Sequence, residues 1–190
     1  MSKKFVIAPN SKLATAGSCF AQNVPKHLIG NPGVNFFSAE DIREDDPVFS
    51  GRYGNIYTAQ QLLQLFDECE SGDVDENCAI RRRDNRYVDV NRPYIEAQGF
   101  EAPEDVLNAR RDHILSARKV FRQADVFVFT LGLTEAWWSP DLDRVFPACP
   151  GIYSDDTSFE YEFKSYSFSE TQAAMNEFIH KLSKVNPDVK

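Results

Sequence analysis

Residues 125–133 read DVFVFTLGL. Valine and phenylalanine follow one another from 126 to 129 without a polar break, and the run closes on Thr130 and a glycine at 132. A continuous apolar stretch of β-favouring residues fits a parallel strand covered on both faces better than a half-solvated one. It is fed by a stretch, 103–123, in which Val106, His113, Ile114, Ala117, Val120 and Phe121 recur at helical spacing. A long amphipathic helix running straight into a buried strand is the repeating unit of α/β folds.

Working outward, the remaining segments fit the same class. LATA at 13–16 is a short apolar strand ending at Gly17, and CFAQNVPKHL after it has helical character, limited by Pro25. GVNFF at 33–37 is a second strand candidate, following the turn pair Asn31-Pro32. Thr58 with Gln61 three residues on has capping-box spacing, and Leu62, Leu63, Leu65 and Phe66 follow. Residues 67–78 read as an acidic surface loop, and AIRRRDNRYVDV at 79–90 as a hairpin turning at Asp84-Asn85. A last helix is expected from near Ser169, with Met175, Phe178, Ile179 and Leu182 inward, ending at Asn186-Pro187. The expected fold is a single three-layer α/β/α domain over 1–190, with a mostly parallel central sheet of flavodoxin-like type and a hairpin excursion near 79–90. Only three core strands are found, and Lys190 stands where another is due, so the expectation is a domain incomplete at its C-terminal side.

Composition narrows the function. A net charge of −8 over 190 residues repels nucleic acid and anionic membrane surfaces. The basic run RRRDNR at 81–86 is diluted by Asp84 and reads as a solvated hairpin. No apolar stretch approaches the roughly 18–20 residues of a membrane span. FVIA ahead of Pro9 is too short for the apolar core of a leader, so Cys19 is not read as a lipidated cysteine and a cytoplasmic protein is expected. Cys19, Cys69, Cys78 and Cys149 contain no C-x-x-C pair. A Cys69–Cys78 bridge is open on spacing alone, with reduced thiols the better reading. No cofactor or metal is expected.

Three segments stand apart from generic packing: GSCFA at 17–21, RYGNIYT at 52–58 and TLGLTEAWW at 130–138. Each sets glycine beside a hydroxyl or amide side chain at a strand end or helix start, and open α/β sheets bind ligands at the carboxyl ends of their strands. Trp137 and Trp138 read either as walls of an acyl or sugar pocket or as caps on the core. Arg52 and Tyr53 read as substrate-orienting or as surface residues, Cys19 as a buried packing residue, and His113 as a satisfied core histidine.

These blocks, with RYGNIYTAQQLLQL, the RP of NRPYIEAQGF and the closing VNPDVK, resemble the GSCFA family, whose name is the pentapeptide Gly17 to Ala21. That family is similar to SGNH, or GDSL-like, esterases and acyl-processing enzymes. The resemblance implies that Ser18 is the nucleophile, just after the first strand. It assigns the oxyanion hole to the Ser18 and Gly54 N–H groups and to Thr134. It places Asn55, Gly132, Glu135 and Trp137 along the substrate. It also implies a serine esterase acting on a small-molecule or carbohydrate ester, O-acetyl sugars among the candidates. An O-acyltransferase or a non-catalytic glycan- or ester-binding module is the alternative. Two departures stand out. The third block of such enzymes is Gly-x-Asn-Asp, where this chain has Gly132-Leu133-Thr134-Glu135. Their closing Asp-x-x-His is absent, and His27, His113 and His180 all fall in predicted helices.

Overall fold

The computed structural model describes residues 4–29, 31, 33, 35–41, 43, 47–155 and 157–190. The chain is a mixed α/β protein built on a parallel sheet. Strand β1, Lys12–Gly17, lies at the centre, with β2, Asn35–Phe36, on one side. Pro32 and Val34, from the expected turn and second strand, lie outside the described residues. The small side chains Ala14 and Ala16 let helices approach the sheet closely, and Leu13 to Ala16 are almost fully buried.

After β1 the chain takes one turn of 3-10 helix, Cys19–Gln22, and then α1, Asn23–Leu28. Pro25 is tolerated because it falls in the first turn of α1, where its missing N–H has no helical acceptor. Helix α2, Ala59–Ser71, opens with the expected capping box, Thr58 accepting from the Gln61 N–H and Gln61 reaching back. It runs one turn into the expected 67–78 loop and stops at Gly72, whose φ of 79° forms a left-handed cap. The acidic look of 67–71 misled because Glu68 and Cys69 are on the buried face. The hairpin follows as β3, Ala79–Arg81, and β4, Tyr87–Asp89, with Asn85 at φ 66° in its turn.

Helix α3, Pro103–Gln123, buries the predicted face and also Arg110. It leads into β5, Val126–Thr130, which pairs in parallel with β1 from Leu13↔Val126 to Gly17↔Thr130. Past Val126 this strand is only half-buried, which corrects the expectation of a strand covered throughout. The reason is its outer edge. There, among the described residues, it meets the backbone of Lys190, which accepts from the Phe127 N–H at 2.9 Å and donates to the Asp125 carbonyl at 3.0 Å.

The region after β5 holds a sheet not anticipated from sequence. Strand β6, Glu135–Ser139, pairs antiparallel with β7, Arg144–Phe146, and β8, Glu162–Ser165. Helix α4, Phe168–Val185, begins one residue before the expected Ser169, because Ser167 and Glu170 form its capping box. At its end the Asn186 amide donates to the Phe121 and Ala124 carbonyls, closing the C-terminus of α3.

Two main cores result. Phe66, Phe121 and Phe178, from α2, α3 and α4, meet edge-on against Ala16, Phe127 and Phe129 of the sheet. A second core joins the hairpin to the antiparallel sheet through Ile80, Val88, Phe146 and Phe159. Between them runs a buried ionic chain. Asp89 binds Arg92 and Arg110, Arg110 binds Glu68, and Glu68 binds Arg144. Burial alone would push the Asp89 carboxyl up, but Arg110, Arg92 and the Asn91 N–H hold it below the usual range.

Candidate functional site

The three glycine-bearing segments converge. The Ile56 N–H donates to the Gly17 carbonyl at 2.9 Å, tying the second block to the first. The Gly132 and Leu133 N–H groups donate to the Tyr57 carbonyl at 3.3 and 2.9 Å, tying the third block to the second. Gly132 faces Ser18 directly: a methyl group on it would stand 3.5 Å from the Ser18 Oγ.

Gly17 is required by its surroundings. Its φ is 147°, and a side chain there would run into the Thr130 hydroxyl and, at 2.9 Å, the Ala21 methyl. Thr130 Oγ1 is itself buried and without a hydrogen-bond partner among the described residues, so the floor beneath the turn carries an uncommitted hydroxyl.

Ser18 occupies the N-cap of the 3-10 helix, the place where a serine hydroxyl ordinarily caps a backbone N–H. It does not cap, and its Oγ makes no hydrogen bond among the described residues. Half-buried beside Gly132, it is a hydroxyl left free at a helix start. The N–H groups of Cys19 and Phe20 are the orphan donors expected at such a start. The Gly54 N–H, in a turn with φ 70°, is likewise without a partner among the described residues.

The other expected site residues divide. The Asn55 amide oxygen accepts from Gln22 Nε2 at 3.5 Å, and its side chain opposes the upward shift of the Tyr57 hydroxyl. Thr134 is exposed, with its N–H given to the Glu135 carboxylate at 3.2 Å and its carbonyl to the Tyr166 N–H. Glu135 therefore braces the loop. Trp137 joins the second core, packed edge-on against Tyr161 and Phe163, each 5.9 Å away. Trp138 instead carries Lys164 4.2 Å above its ring. It lines a groove of about 650 Å³ with Gln60, Asp67 and Tyr166, into which Trp138 alone of the three blocks reaches among the described residues. Cys19 is exposed, correcting its reading as a packing residue, because the 3-10 turn points it outward. Tyr53 is buried and donates to the Thr15 carbonyl, while Arg52 pairs with Glu96 at 2.9 Å.

The chain matches the family model described as GSCFA family over residues 12–190. It belongs to the GSCFA family. Neither curated proteins nor solved structures yield a match to it. In this GSCFA chain the histidines stand apart from Ser18. His27 and His180 are exposed, and neither hydrogen-bonds the serine. His113 is buried on α3, its Nδ1 2.9 Å from the Glu40 carboxylate. Burial and the Arg92 charge outweigh Glu40 and push the imidazole down to about 4, so it is neutral. No three His, Cys, Asp or Glu side chains gather as a metal site among the described residues. No described helix is long and apolar enough to cross a membrane.

The ionic chain reaches this site. Arg92 Nη1 donates to the Arg52 carbonyl at 3.2 Å and Nη2 to the Ala109 carbonyl at 2.9 Å, anchoring the start of the second block. Sequence reading missed Asp89, Arg92 and Arg110 in this role. The one available signal was RP in NRPYIEAQGF, quoted for its resemblance and not for its charge.

Proposed function

We propose that Ser18 is the nucleophile of an ester-processing site of the SGNH type. The observation that carries this reading is the N-cap serine that does not cap, its Oγ free and facing Gly132. Ser18 Oγ adds to the ester carbonyl while its proton passes to a general base. The developing oxyanion is received by the open Gly54, Cys19 and Phe20 N–H groups, with the Thr134 hydroxyl as a further donor. The alcohol leaves with the proton, and water or a second alcohol resolves the acyl-serine, giving hydrolase or transferase. Gly132 and Leu133 contribute shape to this site and not donors, since Tyr57 already holds their N–H groups.

A second reading, an ester-binding module without turnover, is favoured by one observation: no imidazole or carboxylate hydrogen-bonds Ser18 among the described residues. A serine without a base is a weak nucleophile. A fluorophosphonate probe separates the two. The esterase reading expects covalent labelling that Ser18→Ala abolishes. Absence of labelling, with retained binding of an ester ligand, refutes it and leaves the binding module.

A further inference from the structure

Glu40 belongs to no helix or strand, yet two distant parts of the chain converge on one oxygen of its carboxylate. Its Oε2 accepts from the Arg52 N–H at 2.6 Å and faces His113 Nδ1, on α3, at 2.9 Å. The side chain is 13% exposed. The segment that carries it is itself held. The Ser38 hydroxyl donates to the Glu40 carbonyl at 2.7 Å, and the Ala39 N–H to the Ser50 carbonyl at 2.9 Å. A glycine at 51 eases the approach, because a methyl group there would stand 3.1 Å from Oε2.

The surroundings favour one form of the histidine. Facing an acceptor, Nδ1 carries the ring proton. Nε2 is buried and has no hydrogen-bond partner among the described residues, so a second proton there would find no acceptor. Neutral His113 thus donates one hydrogen bond and steadies the carboxylate that Arg52 also uses.

What Glu40 grips is the start of the second block, which is laid onto β1 at two points. The Ser50 N–H donates to the Thr15 carbonyl at 3.3 Å, and the Ile56 N–H to the Gly17 carbonyl at 2.9 Å, one residue before Ser18. Between these anchors lie Gly51 to Asn55, in neither helix nor strand, with glycine at 51 and 54. The Arg52 peptide groups are clasped in the middle of that span, the N–H by Glu40 and the carbonyl by Arg92 at 3.2 Å.

We infer that Glu40 is a positioning residue of the candidate site: through the Arg52 N–H it fixes the Gly54 turn against the strand that leads to Ser18. Its effect on turnover rests on the reading of Ser18 given above. The clasp needs an acceptor oxygen and not a charge, so glutamine can fill it and leucine cannot. Displacing a donor by about an ångström can cost on the order of a hundredfold in rate.

The test compares Glu40→Leu and Glu40→Gln in the full chain. Amide hydrogen exchange by NMR is read at Arg52, Ile56 and helix α4, and turnover of p-nitrophenyl acetate is separated into kcat and KM. Glu40→Leu is expected to speed exchange at Arg52 and Ile56 at least about tenfold more than in α4. It is expected to lower kcat about tenfold to a hundredfold, with KM within about twofold of the parent. Glu40→Gln is expected to bring both back to within about threefold. Ser38→Ala, which frees the Glu40 carbonyl and spares both carboxylate bonds, is expected to act in the same direction more weakly, and it decides the matter if the leucine chain does not fold. The inference is overturned if Ile56 and α4 quicken by the same factor, if neither quickens, or if glutamine fails as leucine does. Local loosening in a chain whose parent shows no Ser18-dependent turnover supports the clasp and sinks the nucleophile. Turnover that Ser18→Ala abolishes and Glu40→Leu leaves intact does the reverse.

Discussion

Replacing Asp89 by asparagine keeps its shape and removes its charge. Asp89 is 3% exposed. It accepts from Arg92 Nε at 2.9 Å, from Arg110 Nη1 at 3.4 Å and from the Asn91 N–H at 2.9 Å. Arg110 keeps Glu68 in the variant. Arg92, equally buried, keeps only the Arg52 and Ala109 carbonyls. Breaking one partner of a buried pair costs about 3–5 kcal/mol, and the retained Glu68 contact argues for the lower end, about 3 kcal/mol. For a domain of this size that is a fall of roughly 6–12 °C in Tm. Thermal unfolding by circular dichroism, with urea titration followed by tryptophan fluorescence, measures it. Asp84→Asn is the control, because its pair with Arg82 is on the exposed hairpin, where solvent screens it, and Tm should barely move. A loss below about 1 kcal/mol for Asp89→Asn would refute the view that this chain joins the cores. Fluorophosphonate labelling of Ser18 should slow in the same variant, since Arg92 also positions the Arg52 carbonyl.

Two further outcomes follow from burial. His113 is held neutral, with a folded value of about 4 against an ordinary 6.5, so the unfolded chain binds the proton more readily. Its contribution is complete above about pH 6.5 and is lost as pH falls toward 4. The parent should therefore lose about 2 kcal/mol more than His113→Gln between pH 7 and 5 in urea titrations, and equal losses would contradict the assignment. Cys19 should react with a thiol reagent in the native protein, whereas Cys69 and Cys78, both pushed up to about 12 by burial, should react only after unfolding. Fewer than four thiols in the unfolded chain would show a disulfide where the structure has none.

Local rules carried much of the fold. The Thr58 capping box, the α3 periodicity and the Asn85 turn depend on near neighbours in the chain, so their residues announce them. What depended on distant partners was hidden. Arg110 looks like a surface arginine in NARRDH until Glu68 and Asp89 are brought beside it. Glu40 gives no sign that it will meet His113. The antiparallel sheet escaped notice because EAWWS was read for its tryptophans and not for its alternation, which buries Ala136 while directing Trp137 to the opposite face. The site divides in the same way. The convergence of its three blocks follows from their glycines at strand ends. The consumption of the Gly132 N–H by the Tyr57 carbonyl arises from a contact between distant parts of the chain.

The fit of Gly17 over Thr130 bears on how this sequence can drift. The hydroxyl beneath the turn occupies the volume a side chain at position 17 would need. As long as position 130 is branched and upright, every replacement of the glycine must move the strand that carries Ser18. Shortening Thr130 to alanine would remove the nearest obstacle, but the Ala21 methyl at 2.9 Å and the φ of 147° would still tax any other residue at 17. The first letter of the pentapeptide is thus enforced twice, by a neighbour on another strand and by the pentapeptide's own last residue, so a change at 130 alone does not free it.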